Sequence, residues 1–401
     1  MITNQSLIDR FIRYVKIDTQ SSETTGTCPS TAKQHDLAAL LFDELKALGL
    51  NDVVYDREHC LVYAFLPASP GAEALPAIGF VAHMDTSDAA SGTDVKPRFI
   101  MSYDGNDPLL PLGAFPSLKD HLGEDLIAAD GTTLLGADDK AGVAEIMNLI
   151  EFYVTHPEAK HRAVAIAFTP DEEIGHGVDF FDPAFFKAKA AYTVDGGGFG
   201  EIEDETFNAA AAFVTVHGLS VHPGTAKGIM KNACLIAMAF NAALPEGERP
   251  ECTEKREGFY MLLEMKGDVE EASLHYIIRD HDREIFEKRK AAVRGIAAAL
   301  NEQYGDGTVD LVIVDQYYNM AEILKDHPEL VRAAEKAVSS LGGTPVCKPI
   351  RGGTDGSKLS FMGIPCPNLG VGGYNFHGRF EYVCVREMEL CAETLILLAG
   401  A

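Results

Sequence analysis

At 401 residues the chain is longer than a single hydrophobic core organises, so two domains are expected. With 46% apolar and 23% charged residues the composition is that of an ordinary globular protein, which excludes disordered and collagen-like classes. A formal net charge of −26 argues against nucleic acid or an anionic membrane as a partner, since both need a basic face, and suits a site that concentrates cations or receives an ammonium group.

Eight cysteines, at 28, 60, 234, 252, 347, 366, 384 and 391, form no CxxC pair and read as reduced, buried thiols rather than a disulfide framework or a thiolate zinc site. The first ten residues lack a basic stretch leading into an apolar one, and no apolar run reaches about 18 residues, so a cytoplasmic protein is expected.

In chain order, residues 4–17 and 31–49 carry helical periodicity, with Leu7, Phe11 and Val15 in the first and Leu37, Leu41, Leu45 and Leu48 in the second, which ends at Gly49. Short apolar runs at 61–66, 77–82, 163–168 and 190–194 alternate with a helix over 140–155, which predicts an α/β layered fold. Between them, 86–136 is rich in Gly, Pro and Asp and reads as an extended surface segment with no role assigned. From residue 207 the texture changes. A strand over 207–218, a helix over 227–243, two strands within 259–279, a helix over 281–304 and a strand over 309–316 give the order β-α-β-β-α-β. That order predicts a ferredoxin-like domain at 207–317, inserted into a mixed-sheet catalytic domain formed by 1–206 and 318–401.

Acidic and imidazole groups follow the apolar runs of the first domain: His83 and Asp85, Asp138 and Asp139, Asp171 to Glu173, and Asp195, with His377 far downstream. In open α/β sheets, sites form at the carboxyl ends of strands, where these groups would converge. Each alone is an ordinary cap or solvated turn. Together they supply the imidazole nitrogens and carboxylate oxygens that hold divalent zinc, cobalt or manganese, and two metals about 3.5–4 Å apart need about five such ligands.

His83 and Asp85, at i and i+2, share one side of a strand, so Asp85 can fix the tautomer of His83. Asp138 and Asp139 open a helix, and one capping residue explains only one of them. Glu172 and Glu173 are adjacent and point different ways, so one can bind metal while the other serves as base. The glycines at 196–200 are not a dinucleotide loop, because the acidic stretch 201–205 stands where a helix should open. His222 lies among turn residues of the inserted domain, and Arg279 and Arg351, at a strand end and beside glycines, suit capture of a carboxylate.

The motifs at 81–86 (VAHMDT), 134–142 (LLGADDKAG), 169–175 (TPDEEIG), 221–227 (VHPGTAK), 278–280 (IRD), 349–356 (PIRGGTDG) and 375–378 (NFHG) run nearly end to end, and with the inserted domain the chain resembles the M20 family of metallopeptidases. Within it, the nearest likeness is to enzymes that remove the N-terminal residue from tripeptides.

The resemblance implies two Zn2+ per subunit, with Co2+ or Mn2+ as substitutes, held by His83, Asp138, Glu173, Asp195 and His377. Asp138 would bridge and be followed by a cis peptide bond. It further implies Asp85 as the orienting acid, Glu172 as general base toward a metal-bridged water, and His222, Arg279 and Arg351 at the substrate. It also implies a homodimer through the inserted domain, with His222 reaching the partner subunit's site. Dipeptidases and N-acyl amino acid deacylases share the ligands, and a metal-binding dimer without catalysis is a further alternative. After His377 the chain reads Gly378, Arg379, Phe380, Glu381, where the family pattern is Gly-Lys-His-Glu, a departure that bears on substrate preference.

Overall fold

The computed structural model describes residues 5–401. Two compact units emerge among the described residues: 5–204, 320–348 and 354–401 form the first, and 205–319 with 349–353 the second. The first opens with helices α1 (Gln5–Val15) and α2 (Gln34–Ala47) and strands β1 (Asp52–Asp56), β2 (Leu61–Leu66), β3 (Ile78–His83), β4 (Arg98–Ile100) and β5 (Leu126–Ala128). It continues with α3 (Ala137–Thr155), β6 (Val164–Thr169), α4 (Pro183–Phe186), β7 (Ala191–Gly196) and β8 (Glu201–Glu205). The second unit holds β9 (Asn208–His217), α5 (Ala233–Ala242), β10 (Phe259–Gly267), β11 (Glu271–Asp280), α6 (Arg283–Tyr304) and β12 (Val309–Tyr317). The chain then returns through α7 (Ala321–Leu324), α8 (Pro328–Ser340), β13 (Val346–Pro349), α9 (Asp355–Phe361), β14 (Asn368–Gly370), β15 (Gly373–Tyr374), β16 (Tyr382–Cys384) and α10 (Val385–Ala399).

The first unit is built on an eight-stranded sheet ordered β1-β2-β6-β3-β7-β14-β8-β13. Strand β3 lies parallel to β6 and β7, while β1 and β2 add antiparallel strands, so the sheet is mixed. Every residue of β3 and β6 is buried, as continuous apolar runs are when both faces are covered. Helix α3 is buried almost throughout and lies so close to β7 that a Cβ on Gly142 would stand 1.8 Å from the Val194 carbonyl oxygen. Only glycine permits that approach.

The second unit is a four-stranded antiparallel sheet ordered β10-β11-β9-β12 with α5 and α6 on one face, which is the ferredoxin-like arrangement. Ala210, Ala212, Val214 and Val216 alternate inward onto Phe240, Phe286 and Val293, while Phe213, Val312 and Val314 remain exposed. The segment 349–353, expected with the catalytic domain, belongs here: Phe207 N–H donates to Gly352 O (3.1 Å) and Ile350 N–H to Glu205 O (2.8 Å). The helix expected over 227–243 starts only at Ala233, because the Asn232 side chain accepts the Leu235 N–H and caps it there.

Residues 86–136 are not an extended surface segment. Strands β4 and β5 join β16 and β15 in a separate antiparallel sheet ordered β15-β16-β5-β4, with its own core of Tyr103, Leu110, Leu118, Leu126, Tyr382 and Cys384. All eight cysteines are free, but only Cys60, Cys366, Cys384 and Cys391 are buried as expected; Cys28 and Cys234 are partly buried, and Cys252 and Cys347 are exposed. Among the described residues no helix is long and apolar enough to cross a membrane.

Candidate metal centre

The parallel register of β3, β6 and β7 places the candidate ligands at one edge of the sheet. His83 pairs with Thr169 at the end of β6, and Val81 pairs with Thr193, which brings Asp195 level with His83. His83 Nε2 lies 3.3 Å from Asp195 Oδ1 and 2.8 Å from Asp138 Oδ1. The other oxygen of Asp138, Oδ2, lies 3.1 Å from His377 Nε2, which is itself 3.0 Å from Glu173 Oε2. One carboxylate therefore faces two imidazoles, each accompanied by a second acid.

The choice between Asp138 and Asp139, open from spacing alone, is addressed by their hydrogen bonds. Asp139 is fully buried, and its two oxygens accept the N–H groups of His83 (3.1 Å) and Gly142 (3.2 Å), so it ties the end of β3 to the start of α3. The geometric group of His83, Asp139 and Asp195 thus shares its carboxylate with backbone donors, whereas His83, Asp138 and Glu173 form a group whose oxygens face side-chain nitrogens. The peptide bond between Asp138 and Asp139 is cis.

Asp85 does more than orient an imidazole. His83 Nδ1 is 3.1 Å from the Asp85 carbonyl oxygen and 3.3 Å from its carboxylate, which directs Nε2 toward the cluster. The same carboxylate accepts the N–H groups of Glu172 (3.0 Å) and Glu173 (3.3 Å), fixing the turn on which both glutamates ride. Asp171, in the left-handed region at φ 51°, anchors the other side of that turn by accepting from Ser30 and Gln34.

Electrostatics at the cluster favour a bound cation. Burial pushes the carboxyls of Glu172 and Asp195 well above their ordinary values, and burial together with Asp138 pushes Glu173 to about 7. Burial opposes the ionised form of Asp138 as well, but the hydrogen bonds of His377 and His83 outweigh it and hold that carboxyl low. His377 is pushed up to about 11 by its bonds to Asp138 and Glu173. Glu173 Oε1 is buried with no hydrogen-bond partner. Negative charge in excess of what two imidazoles neutralise, an orphaned carboxylate oxygen and a nitrogen–oxygen donor set all suit divalent metal.

The remaining sequence candidates belong to the second unit. His222 is on an exposed loop, its Nδ1 accepting the Gly224 N–H at 3.1 Å. Arg279 donates to the carbonyls of Ala210 and Ile278 and lies over the Tyr317 ring. Arg351 donates to the carbonyls of Lys255 and Glu257 and to Thr253 Oγ1, above Phe207 and Phe259. Among the described residues neither guanidinium pairs with a carboxylate.

Residues that sequence reasoning did not assign are Asp139, Asp171 and Glu381. Glu381 accepts the N–H groups of Leu135, Gly136 and Asp138. Its one signal was its place at the end of the 378–381 motif.

Residues 204–308 match a peptidase dimerisation domain. The chain is 53% identical over 400 residues to peptidase T of Geobacillus kaustophilus, covering 98% of this chain and 97% of that one. Its fold is similar to the aminopeptidase PepT of Bacillus cereus, with TM-score 0.79 and 25% identity across 99% of this chain and 98% of that one. It is also similar to a dinuclear metal-binding M20 peptidase of Bacillus subtilis, with TM-score 0.66 and 13% identity across 99% and 97% of the two chains, a likeness of fold alone. Identity at this level over the whole length means that the chain belongs to the peptidase T family of M20 peptidases and is a peptide hydrolase.

Proposed function

We propose that this chain is a cytoplasmic, homodimeric aminopeptidase that releases the N-terminal residue of tripeptides at a centre for two zinc ions. The observation that carries the reading is the Asp138 carboxylate, whose two oxygens face two different imidazoles. His83 and Asp195 would hold one ion, His377 and Glu173 the other, with Asp138 shared. When bound, the pair supplies Lewis acidity toward the peptide carbonyl and makes water acidic enough to be deprotonated near neutral pH.

Glu172 would take that proton. Its backbone is pinned by Asp85, and its Oε2 stands 4.0 Å from His83 Nε2, farther than the oxygens of Asp138 and Asp195. Glu172 then returns the proton to the leaving amine. His222, contributed by the partner subunit, stabilises the charge that develops on the carbonyl oxygen. Arg279 and Arg351, unneutralised by any carboxylate, bind the peptide C-terminal carboxylate. The exposed Phe213, Val312 and Val314 on the inserted unit support an interface between copies.

The test is hydrolysis of Ala-Ala-Ala beside Ala-Ala and N-acetyl-Ala-Ala-Ala, with zinc-loaded and chelator-treated protein. Zinc-dependent release of the N-terminal residue from the free tripeptide alone is the expected result. Cleavage of the dipeptide or the acetylated peptide would instead indicate a dipeptidase or deacylase, and inactivity on all three a binding role. Arg351→Ala is expected to raise KM for free tripeptides and to leave C-terminally amidated ones unaffected, and equal effects on both would remove Arg351 from the substrate site.

A further inference from the structure

Apart from its contacts with Asp138 and Glu173, His377 rests on exposed loop backbone. Its side chain is 49% exposed, its φ is 61°, and it rides on the connection between β15 and β16. Glu381 closes that connection and is 1% exposed. Its Oε2 accepts the N–H groups of Leu135 and Gly136, both at 2.7 Å, and its Oε1 accepts the N–H of Asp138 at 3.0 Å. Gly136, at φ 81°, turns the chain so that these donors converge, forming a nest for one anion. Charge-assisted bonds of this kind are short and directional. A single side chain thus spans from the hairpin that bears one imidazole to the backbone of the residue whose carboxylate faces both.

The hairpin is held from its other side by the 86–136 segment. Tyr382 and Cys384 of β16 pair with Ala128 and Leu126 of β5. The Tyr382 hydroxyl donates to Ser117 Oγ (2.9 Å) and lies 3.1 Å from His121 Nδ1, while His121 Nε2 is 3.0 Å from Glu387 Oε1.

We propose that Glu381 is a positioning residue that sets the span from Asp138 to His377, and thereby the metal affinity of the His377–Glu173 half of the centre, with the 86–136 sheet as its foundation. The inference rests on the two-metal reading above. Glu381→Gln keeps the shape of the side chain but turns an amide NH2 toward N–H donors, so at least one of the three bonds is lost.

The experiment is zinc binding to the full chain by equilibrium dialysis in zinc buffers, alongside kinetics at each free zinc concentration. Wild type binding two zinc ions per chain confirms the premise, and binding of fewer refutes the two-metal reading before any variant is made. E381Q is expected to keep one zinc at wild-type affinity and to hold the other about 10- to 100-fold more weakly. Its kcat returns at saturating zinc, with KM for the tripeptide unchanged. His377→Ala gives the reference curve for one zinc and is not rescued by added metal. Adding E381Q to H377A weakens the remaining zinc no further. The proposal is overturned if E381Q binds both ions as wild type does, or if both weaken together, as general loosening of the fold would produce. Should E381Q not fold, Glu381→Asp keeps the charge but shortens the reach, and must show the same selective loss; wild-type affinity for both ions in that variant also overturns the proposal.

Discussion

His83 ends a strand whose six residues are all buried, and its own side chain is 1% exposed. His377 sits on a hairpin connection, 49% exposed and in the left-handed region. The first imidazole is placed by the sheet, since parallel pairing of β3 with β6 and β7 leaves it no other position. The second is placed by contacts made across long sequence distances, from Glu381 back to Asp138 and from β16 back to β5. Two imidazoles proposed for the same chemical job therefore differ in what supports them. Loss of local order is expected to reach the His377 half first.

The largest effect expected is on Glu172, the proposed base for both halves. Glu172→Gln should lower kcat by about 100- to 10,000-fold while both zinc ions stay bound. Metal analysis decides: loss of an ion would mean that Glu172 is a ligand and that base and ligand are misassigned between the adjacent glutamates.

Next in size, the two histidines should separate in the metal-free chain. His83→Ala leaves Asp138 and Asp195, each only 12% exposed, beside a missing partner, and is expected to destabilise the apoprotein by about 3–5 kcal/mol. His377→Ala also removes a partner from Asp138 and from Glu173, which is only 5% exposed, but it opens a place that water already reaches, so a smaller loss than for His83→Ala is expected. Urea unfolding of the two apoproteins measures this, and similar losses would break the contrast between a sheet-held and a loop-held ligand. Gly142→Ala belongs with His83 in kind. Its Cβ would meet the Val194 carbonyl, pushing α3 away from β7 at a cost of about 1–3 kcal/mol in holo and apo protein alike.

The same division marks what could be read from the sequence. His83, Glu172, Glu173 and Asp195 were visible because each follows an apolar run that forms a buried strand, and the strand direction does the rest. The inserted unit was visible because its alternation of strands and long helices survives without knowledge of pairing. Asp138 and Asp139 were indistinguishable, since adjacency says nothing about which carboxylate meets backbone N–H groups. The 86–136 sheet was hidden for a different reason: β4 and β5 have only three residues each, and their apolar partners Tyr382 and Cys384 lie at the far end of the chain. Glu381 was hidden with it, because its role exists only once that hairpin is closed against residues 135–138.

The smallest expected effect probes that foundation directly. Tyr382→Phe removes the hydroxyl between His121 and Ser117 while keeping the ring stacked on Tyr374 at 5.1 Å. The buried His121 Nδ1 then loses its partner, a loss of about 0.5–1.5 kcal/mol in stability. If the 86–136 sheet supports the His377 half alone, this variant should keep full kcat at saturating zinc and lose activity sooner than wild type as a chelator is titrated in. Equal sensitivity to chelator, with the stability loss present, would mean that the sheet stabilises the chain without reaching His377, and would leave the positioning of that hairpin to Glu381.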